Sequence, residues 1–177
     1  MLLLIKKQGA NEMDNIYGEI KFVELPEFRI AKHMVISNNP EEDVSEYISK
    51  WAKKSGLLDL KDYEPRCFGW DVDVSDEDKI NNKNFRGYAK CITLPEDFKP
   101  KHEGVEILYM QADEYATLRI TDPFSNPFEK IPSGWKKLWD FVQNSEYKPK
   151  TWENRKSFEE VIEIDGVIYM DLYIPIK

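Results

Sequence analysis

The side chains with chemical reach in this 177-residue chain are carboxylates and aromatic rings. Glu159 and Glu160 lie in a run, Lys156–Ile164, that mixes acids with aliphatic residues. Five Trp, nine Tyr and nine Phe are spread through the chain. A carboxylate among ring faces suits a cation: the acid supplies charge, and each ring adds about 0.5–2 kcal/mol of cation–π attraction. The same acid in an apolar pocket can be a general acid or base, because desolvation raises its pKa. Candidate rings for such a pocket are Trp70, Trp135, Trp139 and Tyr173, with Tyr88 and Tyr115 behind them. Each ring also has a plainer explanation in core packing. Trp139 and Trp51 fall on apolar helix stripes, and Trp70 shares a strand face with Phe68 and Val72.

Other chemistries find little support. His33 and His102 are isolated, so no metal site is expected. Asp76-Glu77-Asp78 lacks calcium-loop spacing and reads as a solvated loop. There is no phosphate-cradling glycine loop and no Gly-x-Ser-x-Gly elbow, and no cofactor is implied. A net charge of −8 opposes direct contact with nucleic acid and favours cationic ligands. Cys67 and Cys91 sit in strand-like runs without disulfide or zinc spacing, which fits buried, reduced thiols in the cytoplasm. The opening Met1-Leu2-Leu3-Leu4-Ile5 is too short to span a membrane and reads as part of an N-terminal arm over residues 1–18.

The elements that would position these residues come in a repeated order. Gly18–Leu25 and Phe28–Ser37 read as strands paired through a tight turn at Pro26-Glu27. Asn39 as cap, Pro40 and three acids then start a helix that ends at Gly56, with Val44, Ile48 and Trp51 on one face. Arg66–Val74 and Arg86–Leu94 read as strands around a charged loop, Ser75–Asn84. The second half repeats this: Val105–Gln111 and Glu114–Thr121, a proline-rich loop, a helix capped by Ser133, then Lys156–Ile164 and Val167–Ile176 around Asp165-Gly166. The expected domain is 19–177, with halves at about 19–96 and 104–177. The fold class is α+β: strand-strand-helix-strand-strand occurs twice, and joining two such units, each with one main helix, leaves a seam where a groove can form.

Several short segments carry a resemblance. They are Val23-Glu24-Leu25-Pro26 with Phe28-Arg29-Ile30-Ala31, Phe68-Gly69-Trp70-Asp71, Glu114-Tyr115-Ala116, Gly134-Trp135 with Leu138-Trp139, Phe158-Glu159, and Asp171-Leu172-Tyr173-Ile174-Pro175-Ile176. In order and spacing the chain resembles the gyrase-inhibitor-like (GyrI-like) effector-binding family, also found as the ligand-sensing domain of AraC-type and MerR-type regulators. The resemblance implies two strand-helix-strand-strand (SHS2-like) modules joined as a pseudo-twofold antiparallel sheet. It implies a lipophilic, cationic small-molecule ligand in the groove between them beside an acidic side chain, the role that falls by motif on Glu159. It also implies a stand-alone sensor or sequestering protein, since about 18 residues precede the first strand. Two other functions stay open. Some relatives are hydrolases of reactive compounds, and an acidic surface could instead inhibit a basic protein partner such as DNA gyrase. Where the family often carries a tyrosine two positions past the glutamate, this chain has Val161.

Alternation in the last two strands leaves two registers. In one, Glu159 and Tyr173 point together into the groove while the aliphatic faces pack under the helix. In the other, Glu160 takes the inward place, where an unmatched carboxylate is costly. The first is favoured.

Overall fold

The computed structural model describes residues 16–150 and 156–177. The expected arm at residues 1–18 therefore lies almost wholly outside the described residues. Among the described residues, eight strands are interspersed with three α-helices: β1 (Lys21–Leu25), β2 (Phe28–Ser37), α1 (Pro40–Ser55), β3 (Cys67–Val72), α2 (Asp76–Asn81), β4 (Arg86–Leu94), β5 (Glu106–Met110), β6 (Asp113–Thr121), α3 (Pro127–Asn144), β7 (Phe158–Ile164) and β8 (Val167–Pro175). They form one curled antiparallel sheet in the order β1-β6-β8-β7-β3-β4-β2-β5. Read from either end, the order repeats the same parts. Each half supplies two strands, a long helix and two further strands paired with each other, and the halves meet at β7 and β3.

The expected pairing of β1 with β2 is not found. β1 pairs with β6 of the other half, and β5 pairs with β2. The reason lies in the links. A two-residue hairpin needs left-handed backbone, which Gly, Asn and Asp tolerate. Asp165 and Gly166 adopt it, at φ 51° and 79°, and close the β7–β8 hairpin. Pro26-Glu27 and Gln111-Ala112 do not, so the chain runs on and each first strand crosses to the opposite half.

Helix α1 follows its sequence signals closely. Pro40 occupies the first turn with Glu41, Glu42 and Asp43, and Gly56 ends the helix at φ 84°. Asn39 makes no side-chain cap; Ser37 Oγ instead accepts from the Asn39 amide at 3.2 Å and donates to Asp43 at 2.5 Å. Two further expectations are corrected. Helix α3 begins at Pro127, not after Ser133, because Pro127 is tolerated at the first helical position and Pro132 is carried inside. The loop after β3 contains the short helix α2, whose first turn is capped by Ser75 Oγ accepting from the Asp78 amide at 3.1 Å.

Burial divides into three clusters. Val44, Ile48, Trp51 and Ala52 of α1 pack on Ala31, Ile92 and Leu94. Leu138 and Val142 of α3 pack on Leu118, Ile120, Met170, Leu172 and Ile174. Helix α3 sits so close that a Cβ on Gly134 would lie 2.6 Å from Ile120 Cδ1. The third cluster is on the other side of the sheet and draws on both halves: Leu25, Ile30, Phe68, Cys91, Tyr115, Phe158 and Tyr173. The helix side is thus split into two cores with a space between α1 and α3.

Candidate ligand-binding groove

That space is a cavity of about 890 Å³. Its floor crosses the junction of the two halves, where β3 and β7 pair only through Phe68 with Glu160 and Gly69 with Glu159. Successive strand residues face opposite sides, so this short pairing sends Glu159 to the helix side and Glu160 to the other.

Tyr88 of β4 reaches across β3 to donate its hydroxyl to Glu159 Oε1 at 2.5 Å. Gly69 makes the crossing possible: a Cβ there would lie 2.2 Å from the Tyr88 oxygen and 2.6 Å from its ring. Burial pushes the Glu159 carboxyl above the ordinary carboxylate range, opposed by the Tyr88 hydrogen bond and reinforced by Asp71 and Glu41. Burial also pushes the Tyr88 phenol up, with the Glu159 charge and hydrogen bond adding to it, so the hydroxyl stays a donor. No cationic side chain hydrogen-bonds Glu159 among the described residues.

The two walls differ in chemistry. Helix α3 supplies Ile131, Pro132, Trp135 and Trp139, with Phe124 and Phe128 at the mouth. Phe128 is 94% exposed and Phe124 50%, so this wall presents open ring surface. The opposite wall is polar: Glu41, Glu42 and Ser45 of α1, Asp71 of β3, and Arg86 and Lys90 of β4. Arg86 grips Glu41 through two bonds of 2.5 and 2.7 Å, and Lys90 donates to Ser45 Oγ at 2.9 Å. Partial burial moves the Asp71 carboxyl upward, helped by Glu41 and opposed by Arg86.

The other face holds a second acid in a different setting. Glu160 is 3% exposed and receives two 2.7 Å bonds from Arg66 and one of 2.9 Å from the Tyr173 hydroxyl. The Arg66 guanidinium lies 4.8 Å from the centre of the Phe68 ring. Phe158 stacks on Tyr173 at 4.8 Å and meets Tyr115 at 5.1 Å. Here the charge is matched and the surroundings are filled with protein.

Of the sequence candidates, Glu159, Tyr88, Trp135 and Trp139 line the cavity together. Trp70 borders it, while its side chain packs with the third cluster. Tyr173, Tyr115 and Glu160 are on the opposite face, so the expected meeting of Glu159 with Tyr173 does not occur. The β7–β8 register sets Glu159 against Leu172 and Phe158 against Tyr173. The aliphatic face of β8 therefore shares its side with Glu159. Gly69 and Asp71 entered the sequence reading only within the segment that carries the resemblance, and Glu41, Phe124 and Phe128 were given no site role. The acids of α1 were legible only as helix-start signals. The open rings followed Pro123 and Pro127, which marked a loop.

A curled sheet with two helices flanking an acid-floored aromatic cavity defines a small-molecule-binding domain. The chain belongs to the GyrI-like small molecule binding domain family, whose model matches residues 19–177. No curated protein matches the sequence. Among solved structures it is similar to the EcmrR C-terminal domain, at 14% identity and TM-score 0.65, over 90% of this chain and 97% of that one. In an EcmrR–DNA complex the match is 16% identical with TM-score 0.60, covering 94% of this chain and 59% of that one. A hydrolase from Listeria innocua matches at 10% identity and TM-score 0.53, over 90% and 92% of the two chains. SAV2435 bound to tetraphenylphosphonium matches at 9% identity and TM-score 0.51, over 90% and 94%. No helix among the described residues is long and apolar enough to cross a membrane.

Proposed function

We propose that this domain binds a lipophilic cation in the groove between α1 and α3, as a sensor or sequestering protein. The observation that carries the reading is the setting of Glu159: an acid with raised pKa, hydrogen-bonded to a phenol, facing a wall of tryptophans. A cation there regains for Glu159 the charge compensation that burial removed, and the rings of Trp135 and Trp139 add cation–π attraction. The structural neighbour carrying tetraphenylphosphonium makes that ion the natural first probe. The two unpaired cysteines fit a reducing, cytoplasmic setting. The net charge of −8 favours a cationic ligand over direct contact with DNA.

The test is thermal melting of wild type and Glu159→Gln with tetraphenylphosphonium and with neutral triphenylphosphine oxide. At about a hundredfold excess over Kd, a ligand of the folded state alone adds roughly 2.7 kcal/mol. The cation raises the wild-type midpoint, the oxide does so less, and Glu159→Gln loses the difference. Equal shifts from both compounds, or none from either, would remove the cation from the proposal.

One observation favours a second reading, hydrolysis. The Tyr88 hydroxyl positions a carboxyl of raised pKa at the edge of the cavity, a setting that suits a general acid or base. Mass analysis after incubation with an activated ester separates the two. An enzyme releases the acid and loses this in Glu159→Gln, whereas a binder returns the ester intact.

A further inference from the structure

The groove contains more negative charge than one cation can match. Among the described residues its lining has four carboxylates, Glu41, Glu42, Asp71 and Glu159, against two cations, Arg86 and Lys90, a net of −2. Arg86 is committed to Glu41, while Lys90 donates to the neutral Ser45 and keeps a charge that partly offsets Glu159. Asp71 has no hydrogen bond or salt bridge among the described residues, and it stands on the groove side of β3 directly opposite Tyr88. Gly69 is the strand partner of Glu159, and Asp71 lies two residues further along β3. The two acids are thus one strand across and two residues along, with Cα atoms about 8 Å apart on one face. All four acids lie on the floor and the α1 side, and the α3 wall of the cavity offers only apolar and aromatic side chains with Pro132.

We propose that the groove selects elongated aromatic dications, with one cationic centre at Glu159 and the second at Asp71. This rests on the cation-binding reading above and narrows it. The flat body of such a ligand lies on Trp135 and Trp139 and displaces water from both carboxylates at once. A bulky monocation matches Glu159 but leaves Asp71 desolvated and unpaired, which opposes binding. A dication matches both. Glu42 lines the same cavity and makes the field there more negative, while Arg86 offsets the charge of Glu41.

Benzyl viologen carries two quaternary nitrogens held apart by a rigid bipyridinium, and 1-benzyl-4-(4-benzylphenyl)pyridinium keeps its four rings and shape with a single charge. Calorimetric titration of the full chain with both tests the proposal. Benzyl viologen binds at least about tenfold tighter, and added salt narrows the gap. Asp71→Asn weakens benzyl viologen by about tenfold and the monocation by no more than about twofold, while Glu159→Gln weakens both. Asp71 is at the surface, so the variant folds, and a melt without ligand checks this. Equal affinities in the wild type, or equal losses in Asp71→Asn, overturn the dication and leave the cation reading standing. If neither compound binds the wild type, both fall.

Discussion

At the residue scale, the central fact is that neighbouring glutamates are treated in opposite ways. Glu160 is buried with an arginine and a phenol bonded to it, while Glu159 is bonded to a phenol beside an open cavity, with Lys90 acting on it only through its charge. Because burial raises the Glu159 pKa in the folded state, the folded protein holds that proton more tightly than the unfolded chain. Its contribution to stability is therefore complete below the ordinary glutamate pKa and is lost as pH rises through the folded value. Glu159→Gln, which cannot ionise, should melt higher than wild type at pH 7 without ligand. The difference should shrink to nothing in acid below the ordinary carboxylate range, as scanning calorimetry across pH reads. A wild type that melts higher at neutral pH would contradict this assignment of the buried charge. Gly69 sets the same pair sterically. Gly69→Ala places a methyl where the Tyr88 hydroxyl lies, and should cost about 1–3 kcal/mol in denaturant melts while weakening cation binding. Retained stability with full binding would show that Tyr88 has another route to Glu159.

At the element scale, the junction of β3 and β7 is short and is tied from both faces. Two residue pairs span it, with Tyr88–Glu159 on one face and Arg66–Glu160–Tyr173 on the other. Arg66→Ala leaves Glu160 buried with Tyr173 as its remaining donor. Breaking a buried ion pair costs more than an exposed one, but Arg66 is itself part-exposed, so a loss of about 2–3 kcal/mol is expected in urea melts. A loss below half a kcal/mol would mean the junction depends on packing alone. Much of this scale was legible beforehand. The bounds of β2 and β4, the course of α1 and the Asp165-Gly166 turn all follow from alternation, helix spacing and turn chemistry. The face of Glu159 was legible as well. A two-residue turn pairs Ile164 with Val167, and counting back sets Glu159 against Leu172 and Tyr173 against Phe158. Grouping residues by aliphatic character alone led to the wrong partner for Glu159, because Phe158 belongs with the aromatic cluster and not with the face under α3. The crossing of β1 and β5 was harder to see. Alternation marks a strand but is silent on its neighbour, and only the lack of turn-forming residues at Pro26-Glu27 pointed away from a hairpin.

At the scale of the whole molecule, the two halves are repeated in pattern yet not separable in structure. The first half lends β1 to β6, and the second lends β5 to β2. The third cluster takes Leu25, Ile30, Phe68 and Cys91 from one half and Tyr115, Phe158 and Tyr173 from the other. A fragment ending in the loop before β5 would keep α1 on its three strands but expose half of that cluster and the unpaired sides of β2 and β3. Its complement would lose β1 and expose β6 and β7. Open strand edges and half a core leave too little buried surface to offset the entropy of ordering the chain. Fragments 1–103 and 104–177 should therefore be unfolded alone by circular dichroism and amide NMR dispersion. Mixed, they should recover a cooperative melt together with cation binding, since the groove is formed only where β3 meets β7. A cooperative melt from either fragment alone would show that the exchanged strands and the shared cluster are dispensable. The duplication would then be of independent domains, and the groove an interface between them.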